Sequence, residues 1–331
     1  MKKAFITGIG GQTGSYLTEL LLEKGYEVHG LVRRVSSGYD NLRNIVGLVR
    51  DESIYRKGLF LHSGDMADGA SLHRIVAEVK PDEVYNLAAQ ADVQESFFMP
   101  EFSLDINGTG VMRLLEAVRS HAPAARFYQA STSELFGAAE ETPQRETTRF
   151  NPQSPYSIGK LAGYYSVKKY REMYGLFACN GILFNHESPR RGDDYLTRKV
   201  TKAVARIKLG KQKDVRLGNL ASKRDWGFAK EFADGAWRML QQEKPSDYVL
   251  GTGETHTVEE WVVAAFAHAG LDWKDHVIID QKLFRPAEVD VLLADATKAK
   301  EVLGWEAKTR FADLVKLMVD ADIEREKTYA I

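Results

Sequence analysis

The chain has 331 residues, 45 basic and 46 acidic side chains, and a single cysteine, Cys179. That length suits one large α/β unit, alone or with a second lobe; the near-cancelling charge marks no polyanion-binding surface and argues against a nucleic-acid partner, and one thiol excludes an internal disulfide. No apolar run reaches the roughly 18 residues that span a bilayer, and Met1 to Lys3 lead into AFITG without a signal-peptide pattern, so a soluble, cytoplasmic protein with no membrane partner is expected.

Short apolar runs alternate with amphipathic helical patterns from the start. They read KAFITG, SYLTELLLEKG, YEVHGLV, LFLHSGD, SLHRIVAEVK and EVYNLAAQ, then GVMRLLEAVRSH, ARFYQASTS, a helix from about Tyr156 to Tyr174, and ACNGILFN. This alternation predicts an α/β fold, a Rossmann-like doubly wound parallel sheet whose ligands sit at the carboxyl ends of the strands. After Asn185 the strand rhythm weakens and long helices take over, among them TRKVTKAVARIKLGK, VEEWVVAAFAHAG and FADLVKLMVDADIEREK. A dinucleotide-binding domain over residues 1–184, with a return segment near 219–250, and a smaller, mostly helical lobe over 185–331 are therefore expected.

The first strand runs into TGIGGQTG, residues 7–14, which opens a helix predicted over Ser15 to Lys24. Gly8, Gly11 and Gly14, with Gln12 and Thr13 between them, permit a tight turn and bring backbone N–H groups at a helix start toward a pyrophosphate. The second strand ends in VRRVSS. A free ribose 2′-hydroxyl wants an acid there, about 20 residues past the glycines, whereas a 2′-phosphate wants arginine. Arg33, Arg34 and Ser36 thus favour NADP. At the third strand end, Asp65 and Met66 are placed to reach the adenine, although an acid in that position equally caps the next helix. Leu87, Ala88 and Ala89 close the fourth strand with side chains small enough for a dinucleotide to lie across it.

Tyr156 and Lys160 begin a helix after NPQSP and share one face of it. A lysine charge and a positive nicotinamide nearby would lower the phenol pKa and make Tyr156 a base for a substrate hydroxyl. QASTSELFG, residues 129–137, places Thr132, Ser133 and Glu134 where the fifth strand ends. In an extended segment Thr132 and Glu134 share a face. Simple oxidation needs only Tyr and Lys, so the carboxylate of Glu134 implies a second proton transfer. The eight histidines show no ligand spacing, and no metal is expected.

Beyond these motifs, TG-x-x-GQ-x-G, VRR-x-SS, YNLAAQ, FYQASTSELFG, SPY-x-x-x-K, GILFNHESPRRG, TRKV, LGNL-x-x-KRDWG and FRPAEVD together resemble the GDP-mannose 4,6-dehydratase family of extended short-chain dehydrogenases/reductases over nearly the whole length. The resemblance implies loss of water from a GDP-sugar: tightly held NADP oxidises C4, a base removes the C5 proton, the C6 hydroxyl leaves, and the hydride returns to C6. It gives Thr132, Ser133, Tyr156 and Lys160 the C4 chemistry and Glu134 the C5 proton. Gln90, Asn185, Glu187, Lys199, Arg224, Arg285 and Glu288 are then the residues expected to hold the GDP-sugar, and a homodimer or homotetramer is expected, with VRRVSSGYDNLRNI as a contact segment.

Three places depart from the family's pattern. Thr13 stands where Asp is usual, Ala91-Asp92-Val93-Gln94-Glu95 replaces a segment that begins with Ser, and Ser157 replaces Gly in the helix start. Asp92 and Glu95 add two acids beside the expected hexose, which keeps GDP-D-glycero-D-manno-heptose open beside GDP-mannose as substrate. A GDP-sugar reductase or epimerase would keep Tyr156 and Lys160 without needing Glu134. A redox-sensing binder would need only the glycine loop.

Overall fold

A computed structural model describes residues 1–33, 42–284, 289 and 291–328. The first half alternates strand and helix: β1 (Lys3–Thr7), α1 (Gln12–Glu23), β2 (Glu27–Val32), α2 (Val46–Arg50), β3 (Leu59–Ser63), α3 (Gly69–Val79), β4 (Glu83–Asn86), α4 (Val93–Ser96), α5 (Pro100–Leu104), α6 (Gly110–His121), β5 (Arg126–Thr132), α7 (Pro155–Tyr174) and β6 (Ala178–Leu183). The second half adds β7 (Asn185–Glu187), α8 (Leu196–Lys208), β8 (Val215–Leu217), β9 (Lys223–Arg224), β10 (Trp226–Phe228), α9 (Ala229–Met239), β11 (Tyr248–Leu250), β12 (His256–Thr257), α10 (Val258–His268), β13 (Val277–Ile279), α11 (Thr297–Leu303) and α12 (Phe311–Thr328).

Seven strands form one sheet in the order β3-β2-β1-β4-β5-β6-β11, with every neighbouring pair parallel. Both faces are covered, because side chains along a strand alternate. Ala4, Ile6, Val28 and Tyr128 pack on one side with Leu17 and Leu21 of α1 and Phe232 and Ala236 of α9. Phe5, Val84 and Phe127 pack on the other with Leu72 of α3 and Leu114 of α6. The strand order reverses between β1 and β4, and that switch point opens the crevice in which a doubly wound sheet binds its ligand. The return segment contributes α9 and β11, which joins the sheet beside β6.

The second lobe is held by α8, α10 and α12 around Trp226, Trp261, Phe266, Leu314 and Met318. Its small sheets are pairs, β7 with β10, β9 with β12 and β8 with β13. No helix among the described residues is long and apolar enough to cross a membrane.

One buried ion pair fixes the loop between β7 and α8. Arg198 of α8 and Asp322 of α12 are 3 % and 1 % exposed, and the Arg198 Nε donates to both Asp322 oxygens at 2.9 and 2.8 Å. The same guanidinium donates to the carbonyls of Pro189 and Arg191 at 2.8 and 3.0 Å, so the pair shapes the SPRRG loop. Replacing Asp322 with Ala would leave the buried Arg198 with only the longer contact to Asp193, 3.7 Å away, as counter-charge. The expected loss is about 3–5 kcal/mol of stability, read as a lower denaturant midpoint at unchanged slope.

Candidate active site

A cleft of about 970 Å³ runs along the carboxyl ends of β1, β2, β4 and β5 and continues onto β7, α8 and the segment after β8. Its first wall is the glycine turn. Gly8 has φ +72°, and a Cβ there would sit 2.8 Å from the Ala88 nitrogen; a Cβ on Gly14 would sit 2.3 Å from the Gly8 carbonyl oxygen. Only glycine allows the turn and the helix to pack this closely. Gly11 is the cap residue of α1 and supplies no side-chain bond to it, so the first N–H groups of that helix are left for a phosphate. Helix α1 therefore starts at Gln12, earlier than the Ser15 expected from hydrophobic periodicity. Its first turn carries no apolar side chain, and periodicity does not register it.

The nucleotide end of this wall is lined by Arg33, Asp65, Met66, Leu87, Ala88 and Ala89. The Asp65 carboxylate accepts the Ala67 N–H at 2.9 Å, while Asp68 caps α3, so the capping alternative for Asp65 falls away. Arg34, Ser36, Arg285 and Glu288 lie outside the described residues.

Gln12 and Thr13 tie the turn to β7. The Gln12 amide donates to the His186 carbonyl at 2.8 Å and accepts from Ser188 Oγ at 2.7 Å. The Thr13 hydroxyl meets His186 Nε2 at 2.9 Å, and His186 Nδ1 meets the Phe184 carbonyl at 2.9 Å. A carbonyl accepts only, so Nδ1 carries the hydrogen and Nε2 accepts from Thr13. Burial keeps this imidazole neutral, its pKa pushed down to about 4. His186 is thus the partner that accommodates Thr13. Arg190 completes the clasp, with its guanidinium 4.0 Å from the Tyr16 ring centre and donating to Glu19 at 2.6 Å.

The residues expected from sequence to react come together at the end of β5 and the start of α7. Strand β5 ends at Thr132, and Ser133–Leu135 turn into one 3₁₀ turn. The extended geometry assumed for Thr132 and Glu134 does not hold: the Thr132 side chain caps that turn, accepting the Glu134 N–H at 3.2 Å. Both side chains still line the cleft with Ser133, because the turn begins at the rim of the sheet.

Helix α7 starts with a capping box. Ser154 Oγ accepts the Ser157 N–H at 3.1 Å and the Ser154 N–H donates to Ser157 Oγ at 3.0 Å. Ser157 is fully buried, so its departure from the usual glycine serves the helix start rather than the ligand. The cap fixes Tyr156 and Lys160 one turn apart, 8 % and 4 % exposed. Lys160 Nζ donates to the Ala130 carbonyl at 2.9 Å and lies 5.9 Å from the Tyr156 ring centre. Burial pushes the Tyr156 phenol well up, opposed by the Thr132 hydroxyl and the Arg191 charge. Burial also lowers the Lys160 ammonium from 10.5 to about 8. Burial is the largest influence on this phenol in the protein alone; the expected lowering depends on a bound nicotinamide as well as on Lys160.

Lys160 makes a checkable trade. Unfolded, it holds its proton up to about 10.5; folded, only to about 8, so folding carries a penalty that is complete below pH 8 and fades as pH rises toward 10.5. Lys160→Met is expected to raise the thermal midpoint at pH 7, by a margin that narrows between pH 8 and 10.5, while turnover is lost. Paired melting and activity measurements check both halves.

The remaining walls come from the second lobe. Asn185, Glu187, Lys199 and Arg224 all line the cleft. Asn185 Oδ1 is buried without a hydrogen-bond partner, so it faces the cleft as an unmatched acceptor. Glu187 is otherwise engaged: Thr197 donates to it at 2.6 Å and Arg191 Nε lies 3.2 Å away. Gln90 is similarly occupied, its amide donating to the Asp92 carbonyl at 2.9 Å and accepting from Ser103 at 3.0 Å. Asn107 holds its backbone in both directions, at 3.1 and 2.9 Å. Of the two added acids, Asp92 lines the cleft, whereas Glu95 lies exposed in the first turn of α4 and does not. Sequence reasoning missed Tyr195 and Arg191, which reach the cleft from the SPRRG loop; nothing in their spacing marks them. The proposed contact segment falls largely on residues outside the description, and its Arg43 and Asn44 turn inward, bonding the carbonyls of Arg191 and Arg190 at 3.3 Å each.

A doubly wound sheet with a glycine turn at its first crossover, and a capped Tyr-x-x-x-Lys helix facing a Thr/Glu strand end, defines an extended short-chain dehydrogenase/reductase. The family model described as GDP-mannose 4,6 dehydratase matches residues 5–318. GDP-mannose 4,6 dehydratase 1 of Arabidopsis thaliana is 54% identical over 336 residues, covering 99% of this chain and 92% of that protein. The GDP-mannose 4,6 dehydratase of Homo sapiens is 49% identical over 345 residues, covering 98% and 92%. The chain belongs to the GDP-mannose 4,6-dehydratase family. Among solved structures, a dTDP-glucose 4,6-dehydratase from Streptomyces venezuelae superposes with a TM-score of 0.85 at 23% identity, over 98% of each chain; at that identity the likeness concerns the fold.

Proposed function

We infer that this enzyme is an NADP-dependent hydro-lyase that converts GDP-mannose to GDP-4-keto-6-deoxymannose. The observation that carries the reading is a carboxylate, Glu134, in the same cleft as a Thr132, Tyr156 and Lys160 oxidation set. That combination suits dehydration, whereas a reductase or epimerase has no use for the acid. The glycine turn fits the cofactor, because its Cβ-free approach and uncapped helix start leave room and N–H donors for a pyrophosphate. Arg33, with Arg34 and Ser36, is assigned the 2′-phosphate.

Bound there, NADP would supply the hydride acceptor for oxidation at C4 and the hydride donor for reduction at C6. The chain's own residues handle the protons. Tyr156 takes the C4 hydroxyl proton as that carbon is oxidised, and Thr132 holds the same hydroxyl. Lys160 anchors against the Ala130 carbonyl and supplies the positive charge that a buried phenolate requires. Oxidation leaves a ketone, which acidifies the neighbouring C5–H enough for Glu134 to remove it. Loss of the C6 hydroxyl then needs a proton, which the now protonated Glu134 can give, so that water departs. As the hydride is added at C6, C5 takes up a proton drawn from solvent through Glu134, and Tyr156 releases the proton it took from the C4 hydroxyl. Ser133 is assigned a supporting contact at the same strand end.

The GDP portion is assigned to the second lobe, a substrate-binding unit over residues 185–331 beside the dinucleotide-binding unit over 1–184. Lys199 and Arg224 suit a diphosphate, and Asn185 offers an unmatched acceptor. Gln90 and Glu187 shape the pocket through the bonds described above, and Arg285 and Glu288 retain their assignment to the nucleotide. A cytoplasmic homo-oligomer is proposed, supported by exposed apolar side chains on adjacent helices and their approach, Phe98, Phe102, Leu104, Ile158 and Met173.

The deciding assay incubates the protein and NADP with GDP-mannose and, separately, with GDP-D-glycero-D-manno-heptose, and weighs the products. Loss of one water from GDP-mannose is expected. A product that keeps its water in both arms rejects the dehydratase reading, and loss from the heptose alone moves the substrate.

A further inference from the structure

The dehydration employs Thr132, Glu134, Tyr156 and Lys160, yet a second phenol stands in the same cleft. Tyr195 precedes α8 on the second lobe and lines the cavity. Its ring lies under the Arg191 guanidinium, 3.8 Å from ring centre to guanidinium carbon, while Arg191 is itself held beside the buried Glu187 at 3.2 Å. A long basic side chain stacked on the ring holds the phenol in place without touching its oxygen. The Tyr195 hydroxyl makes no hydrogen bond among the described residues.

Two further observations place that hydroxyl. Tyr195 and Arg191 line the same cleft as Thr132, Glu134 and Tyr156, and the Tyr195 phenol is within electrostatic reach of the Tyr156 phenol. The charge of Asp92 acts on Tyr195 in turn. Asp92 projects from the opposite lobe, and one of its oxygens, Oδ1, is taken by the Gln94 and Glu95 N–H groups at 2.7 and 3.1 Å. Its Oδ2 makes no hydrogen bond among the described residues. A phenolic donor at the start of α8 and a carboxylate acceptor at the start of α4 therefore face one cleft.

We propose that Tyr195 and Asp92 form a specificity-determining pair that grips hydroxyls of the bound sugar outside the oxidation and proton-transfer sites. The ligand class is a polyhydroxylated pyranose on a nucleoside diphosphate, and the pair reads the sugar rather than the nucleotide. This rests on the dehydratase reading above, from which it is separable by experiment.

The test compares Tyr195→Phe and Asp92→Asn with wild type, measuring kcat and KM for GDP-mannose and the inhibition constant of GDP. Phenylalanine keeps the ring on Arg191, and asparagine keeps an oxygen to cap α4, so both variants should fold, with thermal midpoints near wild type. Losing one neutral hydrogen bond to the sugar is expected to raise KM for GDP-mannose about threefold to tenfold, with the GDP constant unchanged. An unchanged KM in both variants, an equal loss for GDP, or a fall in kcat at constant KM would each overturn the pair's role. Failure of wild type to dehydrate GDP-mannose would instead overturn the underlying reading.

Discussion

Glu134→Gln is expected to stop dehydration while leaving C4 oxidation possible. The amide keeps the size and polarity of the side chain but cannot take a proton from carbon. Removal of a general base commonly costs about 10²–10⁴-fold in rate, and the earlier step depends on Thr132, Tyr156 and Lys160, which stay in place. The 4-keto sugar should therefore build up on the enzyme, recoverable with its C6 oxygen intact after chemical reduction and weighing. In deuterated water, wild type should deliver product carrying deuterium at C5, since the abstracted proton leaves with the water and the one that replaces it comes from solvent; the variant should leave that position unlabelled. Ordinary turnover by Glu134→Gln would reduce the acid to a support of the 3₁₀ turn, and the dehydratase assignment would lose its central residue.

Tyr156→Phe should abolish both halves of the reaction. The ring and the helix start remain, because Ser154 and Ser157 make the capping box without the phenol, so folding and GDP-sugar binding should persist. Only the acceptor for the C4 hydroxyl proton is gone, and a loss of about 10²–10⁴-fold in kcat is expected. Deuterium exchange at C5 should disappear with it, since no ketone forms to acidify that carbon. The pair of variants is thus ordered: Tyr156→Phe stops before the 4-keto sugar and Glu134→Gln stops after it. Accumulation of the 4-keto sugar by Tyr156→Phe would place the first base elsewhere in the cleft.

Much of the fold was legible because its signals are local. Strands β1 to β6 were each visible as a short apolar run followed by a helical pattern, and the glycine turn was marked by spacing that few other conformations require. The seventh strand was harder to see. β11 is only Tyr248–Leu250, too short to show a period, and it becomes a sheet strand through pairing with β6, from which β7 to β10, α8 and α9 separate it in sequence. The 3₁₀ turn after Thr132 was similarly hidden, because a side-chain cap within STS changes the backbone direction without altering the hydrophobic pattern. Ser157 offered the reverse case: a departure that suggested a changed pocket proves to be one half of a helix cap.

By itself, the sequence determined the doubly wound class, the use of a nicotinamide cofactor and the family, because glycine spacing, the Tyr-x-x-x-Lys pair and the strand-end STSE each constrain chemistry within a few residues. It could not determine which polar side chains remain available to a ligand. Glu187 and Gln90 looked like substrate contacts, yet Thr197, Arg191, Ser103 and Asn107 already hold them. Tyr195, unremarkable in GDDYLTRKV, arrives in the cleft because Arg198 and Asp322, 124 residues apart, fold the SPRRG loop over it. Such assignments belong to tertiary structure for a physical reason. A polar group binds a ligand only if no nearer partner satisfies it, and the nearest partners here come from distant parts of the chain.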